Sequence, residues 1–193
     1  MPASDLADDG RTMRERMLAG DLYVATGPDL TARTQRAQRL CHAYNATDAA
    51  DASARRALLD DLFGALGPDA DIRPPFFCDY GTQIRAGERL FMNVGCVVLD
   101  GAAVTLGDRV LFGPAVQVYT ASHPLDAARR ADGWELARPV TVGDDVWIGG
   151  GAILCPGVTV GAGSTVGAGS VVTRDVPPGV FAAGNPCRVV RAL

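Results

Sequence analysis

The sequence contains no lysine, because all 18 of its basic residues are arginine. This absence excludes Schiff-base chemistry and the lysine of a phosphate-binding P-loop. Histidine is nearly as scarce: His42 and His123 are the only two, so one chain cannot build a three-histidine zinc site. The net charge of −4 argues against a nucleic-acid partner, because such partners normally require a basic surface.

Long apolar runs are also missing. No run approaches the twenty residues of a membrane span, and the acidic N-terminus is unlike a signal peptide, so no membrane partner is expected. The five cysteines are scattered along the chain and form no CxxC pair. They predict reduced thiols in a cytoplasmic protein.

The 193 residues divide into two patterns near residue 70. Up to Gly67 and Pro68, apolar residues recur at helical spacing, and this predicts a small helical segment over residues 1–70. The helical stripes are Ala37, Leu40, Cys41 and Tyr44, followed by Leu58, Leu59, Leu62, Phe63 and Leu66.

From residue 71 to 193 the apolar residues recur every six positions, a spacing that fits neither a helix nor a single strand. A fixed period over this much chain indicates a repeat architecture. The clearest run is Val142, Ile148, Leu154, Val160, Val166 and Val172. The same frame appears earlier as Ile72, Cys78, Ile84, Leu90 and Cys96, and as Leu106, Phe112 and Val118.

This period predicts a mainly β solenoid of short parallel strands with the large aliphatic residues inside. Three six-residue units would close a triangular coil of 18 residues, and coils would stack at about 4.8 Å. The frame slips between Cys96 and Leu106, and it breaks over residues 123–139. The break predicts an inserted loop, and loops on a rigid scaffold often carry function.

The sequence resembles the maltose/galactoside O-acetyltransferase family of hexapeptide-repeat sugar acetyltransferases. The resemblance covers the chain from about residue 11 to the end. The residues that carry it are Met13-Arg-Glu-Arg-Met-Leu-Ala-Gly-Asp-Leu-Tyr23, Cys78-Asp-Tyr-Gly81, Tyr119-Thr-Ala-Ser-His-Pro124, Pro139-Val-Thr-Val-Gly-Asp-Asp-Val-Trp-Ile-Gly149 and Gly184-Asn-Pro-Cys-Arg188.

The resemblance implies a left-handed parallel β-helix, an exception to the right-handed crossover rule. It also implies a homotrimer with active sites between subunits, acetyl-CoA as co-substrate, no metal, and a sugar of the maltose, glucose or galactoside class as acceptor. The acetyl group would move by direct attack of a sugar hydroxyl, without an acyl-enzyme.

His123 is the candidate general base. Histidine titrates near neutrality and suits proton removal from a hydroxyl. The residues alone leave a surface-loop histidine as an equal alternative, and the resemblance favours catalysis. His42 lies in a helical stretch and is interpreted as structural or surface.

Three polar residues resemble the family's acceptor pocket: Asp79, Asn93 and Asp100. Carboxylates and amides suit sugar hydroxyls, although the two aspartates are equally typical of turns. The chain departs from the family pattern twice. Some members have the acidic residue where this chain has Gly101, and the galactoside branch has an aspartate where it has Ala25.

The donor residues follow from the resemblance. Trp147 is expected to project from a coil face towards a pantetheine arm, with a trimer interface as its alternative. Arginines bind phosphate through a fixed fork of donors, although a solvated C-terminus is the plainer interpretation. The Gly150 N–H is the candidate oxyanion donor. The residues assigned to coenzyme A are Trp147, Gly150, Ala168, Thr173, Arg174, Arg188 and Arg191.

Three other functions occur on, or are compatible with, a β-helix of this kind. A non-catalytic β-helix scaffold would need only the repeat and would not require His123 or Trp147. A γ-class carbonic anhydrase is excluded by the lack of histidines. An acetyltransferase of the same fold that acts on an antibiotic or another non-sugar hydroxyl stays open, because the sugar assignment rests on analogy.

Overall fold

The computed structural model describes residues 9–193, so the first eight residues of the predicted helical segment lie outside it. The described chain has four helices: α1 Met13–Ala19, α2 Pro28–Asn45, α3 Ala52–Leu62 and α4 Ala127–Ala131. Its strands are β1 Tyr23–Val24, β2 Ala65–Leu66, β3 Asp71–Ile72, β4 Phe77–Cys78, β5 Ile84–Ala86, β6 Phe91–Met92, β7 Val97–Leu99, β8 Val104–Leu106, β9 Leu111–Phe112, β10 Gln117–Tyr119, β11 Ala121–Ser122, β12 Trp134–Ala137, β13 Val140–Val142, β14 Trp147–Ile148, β15 Ile153–Leu154, β16 Thr159–Val160, β17 Thr165–Val166, β18 Val171–Val172, β19 Val180–Ala183 and β20 Arg188–Ala192.

Most of these strands form the three faces of a triangular β-helix. Face 1 has the order β3-β6-β9-β14-β17-β19-β20, face 2 has β4-β7-β10-β15-β18, and face 3 has β2-β5-β8-β13-β16. All pairings are parallel except that of β20, which folds back antiparallel on β19. The chain runs from face 1 to face 2 to face 3, so we name the corners by the faces they join: corner 1/2, corner 2/3 and corner 3/1.

Two inward residues per unit build the core. On face 1, Phe112, Ile148 and Val166 stack in register and are almost fully buried. Val146 and Ala152 flank Ile148 at the neighbouring corners and are equally buried. Each coil thus buries its apolar side chains only against the coils above and below it, as in other solenoids.

The coils are longer at the start than the six-residue period predicts. Ile72 pairs with Met92, and Met92 pairs with Phe112, so the first coils contain 20 residues each. After the insertion, Ile148 pairs with Val166 and the predicted 18-residue coil holds. The two extra residues of each early coil lie between face 2 and face 3, and they widen corner 2/3.

This widening corrects the predicted frame. Leu90 and Cys96 are buried, but Met92 and Val98 occupy the paired strand positions. The six-residue period therefore shifts by two residues within each early coil, rather than once after Cys96. The physical reason is that β5 and β8 each have three residues, with both ends facing inward.

Helices α2 and α3 pack on the first coils and share one core with them, whereas Met17 of α1 lies in a second apolar cluster with Tyr23 and Tyr80. The Tyr44 hydroxyl donates to the Ile72 carbonyl, and the Asn45 amide both donates to and accepts from Phe76. Helix α3 ends at Leu62 rather than continuing to Leu66, because Ala65–Leu66 pairs with β5 as the first strand of face 3. The division at residue 70 stays a prediction.

The interruption at 123–139 is an ordered insertion rather than an irregular loop. It contains α4 and β12, and β12 pairs antiparallel with β1 and with β11, the strand just before the insertion. Trp134 on β12 is buried, 5% exposed. The insertion leaves the β-helix at corner 2/3 and is held there by the N-terminal strand. No helix in residues 9–193 is long and apolar enough to span a bilayer.

Candidate active site

The wide corner 2/3 gathers the acidic residues predicted for the acceptor. Asp79 follows β4 and is partly exposed, whereas Asp100 follows β7 one coil later and is fully buried. The Asp100 carboxylate accepts hydrogen bonds from the backbone N–H groups of Tyr80, at 2.8 Å, and Gln83, at 3.2 Å. The geometry therefore supports the turn role for Asp100, and direct contact with an acceptor stays a prediction.

Burial raises the pKa of both carboxyl groups. The pKa of Asp79 rises to about 7, first because of desolvation and then because of the charges of Asp100 and Glu135. The pKa of Asp100 rises to about 6 by desolvation, although the backbone donors oppose the rise. Asp79 is the better placed of the two to meet a ligand, because it is the more exposed and its carboxylate has no hydrogen-bond partner in residues 9–193.

Two residues that the sequence did not reveal complete this corner. The Tyr23 hydroxyl donates to the Glu135 carboxylate at 2.8 Å, and this bond joins the N-terminal strand to the insertion. Burial and the hydrogen bond raise the pKa of Tyr23. A Cβ at Gly101 would lie 3.1 Å from the Tyr23 hydroxyl, so a side chain at that departure from the family pattern would crowd Tyr23.

His123 follows β11 and is exposed at corner 2/3. Its Nδ1 lies 3.2 Å from the carbonyl oxygen of Trp134 on β12. Because a carbonyl can only accept, this bond requires the proton on Nδ1, and the lone pair of the neutral ring is then on Nε2. This is the tautomer that a general base needs.

Corner 1/2, on the other side of face 2, holds a different group of predicted residues. Asn93, Gly150 and Ala168 all occupy this corner: Gly150 and Ala168 lie in successive coils, and the coil of Gly113 lies between Asn93 and Gly150. A Cβ at Gly113 would lie 2.4 Å from the Gly150 nitrogen, and one at Gly149 would lie 2.5 Å from the Ala168 nitrogen. The Gly150 N–H donates to no acceptor in residues 9–193, so it is free to bind a ligand oxygen.

Trp147 projects outward from face 1, 54% exposed, as its position in the repeat predicts. It pairs with Leu111 on one side and Thr165 on the other, and Thr165 pairs with Phe181. The Arg191 guanidinium lies 6.0 Å from the centre of the Phe181 ring. Phe181 is therefore two strand spacings, about 10 Å, from Trp147 on face 1, and Arg191 lies on the next strand beyond it.

The remaining donor candidates are dispersed. Arg188 lies on β20 at the end of face 1, with its guanidinium donating to the carbonyl of Cys187 at 2.7 Å. Thr173 and Arg174 follow β18 and are exposed at corner 2/3. One chain thus places His123, Asp79 and Asp100 at corner 2/3, and Gly150, Ala168 and Asn93 at corner 1/2. No group of three or more histidine, cysteine or acidic side chains within the described chain could hold a metal ion.

Known proteins match this chain along nearly its whole length. The maltose acetyltransferase hexapeptide capping motif matches residues 16–67, and the bacterial transferase hexapeptide (six repeats) matches residues 139–174. Nodulation protein L of Rhizobium meliloti is 53% identical over 179 residues, which cover 93% of this chain and 98% of that protein.

Two solved structures share the fold. A maltose O-acetyltransferase from Clostridium difficile is 42% identical with a TM-score of 0.94, covering 95% of this chain and 98% of that one. A hexapeptide-repeat acetyltransferase from Vibrio cholerae, solved with acetyl coenzyme A, is 43% identical with a TM-score of 0.88, covering 95% and 99%.

The fold and these matches define a hexapeptide-repeat acetyltransferase. Within that class, the chain belongs to the maltose/galactoside O-acetyltransferase family. The predicted family, the predicted enzyme class and the mainly β left-handed parallel β-helix with its small N-terminal helical segment are confirmed.

The raised pKa of Asp79 predicts how its replacement changes stability. A carboxyl group whose pKa is higher in the folded chain binds its proton more tightly there, so its contribution to stability falls as pH rises from about 4 to about 7. Asp79→Asn removes this loss. As the pH rises from 4 to 8, we expect the free energy of unfolding of the variant to increase by roughly 1–3 kcal/mol relative to that of the wild type.

Denaturant unfolding at both pH values measures this gain. Asp132→Asn, on the exposed surface of the insertion, is the matched control and should show no pH-dependent difference. Parallel curves for Asp79→Asn and the wild type would show that the Asp79 carboxyl titrates normally.

Proposed function

We propose that this acetyltransferase moves the acetyl group of acetyl-CoA to a hydroxyl group of a sugar, with His123 as the general base and the active site between two subunits of a homotrimer. The observation that carries the proposal is the His123 tautomer, fixed by the Trp134 carbonyl beside a corner lined with carboxylates. Acetyl coenzyme A in the Vibrio cholerae relative supports the choice of donor.

The proposed reaction is a direct transfer. Nε2 of His123 removes the hydroxyl proton as the sugar oxygen attacks the thioester carbon. The Gly150 N–H stabilises the negative charge that develops on the carbonyl oxygen. The C–S bond then breaks, and the coenzyme A thiolate takes a proton from the imidazolium. No acyl-enzyme forms, so a nucleophilic serine or cysteine is not needed.

The acceptor would bind against corner 2/3. Carboxylates accept hydrogen bonds from sugar hydroxyls, and Asp79 presents a partly exposed carboxylate in this role. Asp100 shapes the corner through its bonds to the backbone, and Glu135 with Tyr23 closes its outer side. Asn93 would approach the same acceptor from corner 1/2 of a neighbouring subunit.

The donor would lie along corner 1/2 and face 1. Trp147 offers an exposed ring for the pantetheine arm, and Arg191 and Arg188 lie further along face 1, where phosphates can be bound. Ala168 contributes backbone groups between them. Thr173 and Arg174, at corner 2/3, would reach the coenzyme from the other subunit.

Two subunits are required because His123 and Gly150 lie at different corners of one chain. Face 2 stands between these corners, so a reacting thioester could not touch both residues of the same subunit. A threefold assembly places corner 2/3 of one copy against corner 1/2 of the next. The proposed location is the cytoplasm, and the five unbridged cysteines of the structure support it.

A panel of acceptors tests the substrate class. We expect thiol release from acetyl-CoA with at least one of maltose, glucose, a galactoside or a chitooligosaccharide. Turnover with hydroxylated antibiotics and none with sugars would establish the non-sugar alternative. A complete lack of turnover with every sugar and every antibiotic would contradict both proposed acceptor classes.

His123→Ala tests the general base. We expect kcat to fall by about 10²–10⁴-fold while KM for acetyl-CoA changes little, because the ring acts on the acceptor proton. His42→Ala is the matched control, since His42 lies exposed on α2 beside Pro75 and Phe77 of the first coil, not in the coils that carry His123 and Gly150. An unchanged kcat in His123→Ala would remove the histidine from the mechanism.

Trp147→Ala tests the proposed acetyl-CoA site on face 1. We expect KM for acetyl-CoA to rise roughly five- to thirtyfold, equivalent to about 1–2 kcal/mol of lost aromatic packing. Leu18→Ala, which removes another exposed apolar side chain, controls for general surface effects. Equal KM values for Trp147→Ala and the wild type would place the coenzyme elsewhere.

A further inference from the structure

Two cysteine thiols meet where helix α2 packs on face 2. Cys41 on α2 and Cys78 at the end of β4 have Sγ atoms 3.8 Å apart, although 37 residues separate them in sequence. Both residues are buried, with 3% and 9% exposure. The proposed acetyl transfer uses neither of them.

A cleft opens from the surface beside this pair. It has a volume of about 340 Å³, and both sulfur-bearing residues line it together with His42 and Phe77. A water molecule occupies about 30 Å³ of the liquid, so the cleft admits a molecule the size of a peroxide. The thiols are thus close to each other and within reach of a small reagent.

The two thiols differ in acidity. Their mutual hydrogen bond lowers the pKa of Cys41, whereas that bond and burial raise the pKa of Cys78. When the pair loses a proton, these shifts favour Cys41 as the thiolate and Cys78 as the hydrogen-bond donor. The thiolate is the reactive form of cysteine, so Cys41 is the sulfur that would attack first.

We propose that Cys41 and Cys78 form an oxidisable dithiol, which a peroxide converts into a disulfide that fastens α2 to β4. The Cys41 thiolate attacks one peroxide oxygen, the O–O bond breaks, and the departing hydroxide takes a proton to form water. Cys78 then loses its proton and attacks Sγ of the Cys41 sulfenic acid, and the sulfenic oxygen leaves as a second water. Two thiols are oxidised and one peroxide is reduced.

The geometry favours this pair over the other cysteines. Disulfide formation requires the two sulfurs to approach by roughly 1.8 Å, to a bond of about 2.05 Å. In residues 9–193 no other two cysteine thiols are hydrogen-bonded to each other. Cys96 instead lies 3.1 Å from the Asn93 carbonyl oxygen.

Peptide mapping tests the proposal on the native enzyme. Because the chain lacks lysine and trypsin does not cleave before proline, each cysteine falls in its own tryptic peptide. After hydrogen peroxide and alkylation of the remaining thiols, we expect peptides 40–55 and 57–85 to appear joined, about 2 Da lighter than their sum. The number of free thiols should fall from five to three.

Preferential oxidation of another cysteine, or a sulfinic acid on Cys41 without the joined peptides, would overturn the proposal. Cys41→Ser should abolish the cross-link, and Cys155→Ser should keep it. The wild-type map decides the question even if Cys41→Ser fails to fold.

The cross-link should also stabilise the N-terminal segment. Closing a loop of this length predicts a rise in Tm of roughly 5–10 °C on oxidation, reversed by dithiothreitol. Cys155→Ser should show the same rise. A Tm that stays constant or falls in the cross-linked protein would contradict the claim that the bond fastens α2.

Discussion

The in-register stacking of coils is the constraint on which the rest of the structure depends. Each coil donates backbone hydrogen bonds to the next, as Gly113 does to Ile148 and Gly149 does to Val166, at 2.8 and 2.7 Å. The inward side chains follow the same register. Because this register allows no sliding between coils, the position of a residue within its coil determines which corner its side chain occupies.

The chemistry is concentrated where this regularity is relaxed. Two extra residues per coil widen corner 2/3 and make room for Asp79 and Asp100, and the insertion leaves from the same corner. The insertion brings Glu135 over the carboxylates and holds His123 through the Trp134 carbonyl. Corner 1/2, in contrast, stays tight and presents the backbone of Gly150. One corner thus offers a base and carboxylates, and the other offers backbone donors.

The sequence predicts the parts of this arrangement that depend on local periodicity. The six-residue spacing after residue 140 predicts the strands and the outward position of Trp147 correctly. The six-residue period does not predict the 20-residue coils. Leu90 and Cys96 continue that period and are buried, but Met92 and Val98 are the residues that pair with the neighbouring coils. The helix end at Leu62 was missed because Leu66 fits a helical stripe equally well.

Contacts between segments that are distant in sequence cannot be predicted from local periodicity. The bond between Tyr23 and Glu135 joins residues 112 positions apart, and nothing in either local sequence indicates the other. The burial of Trp134 likewise depends on β1 pairing with β12. The residues that complete corner 2/3 could therefore be found only in the folded chain.

The central claim is that His123 of one copy works with corner 1/2 of another. Mixing two variants that are each impaired at low acetyl-CoA tests it most directly. His123→Ala and Trp147→Ala chains, unfolded and refolded together, would form mixed trimers with one intact site at a seam between unlike subunits. The account predicts that the mixture turns over low acetyl-CoA well above the sum of the two variants alone. Activity equal to that sum would contradict it.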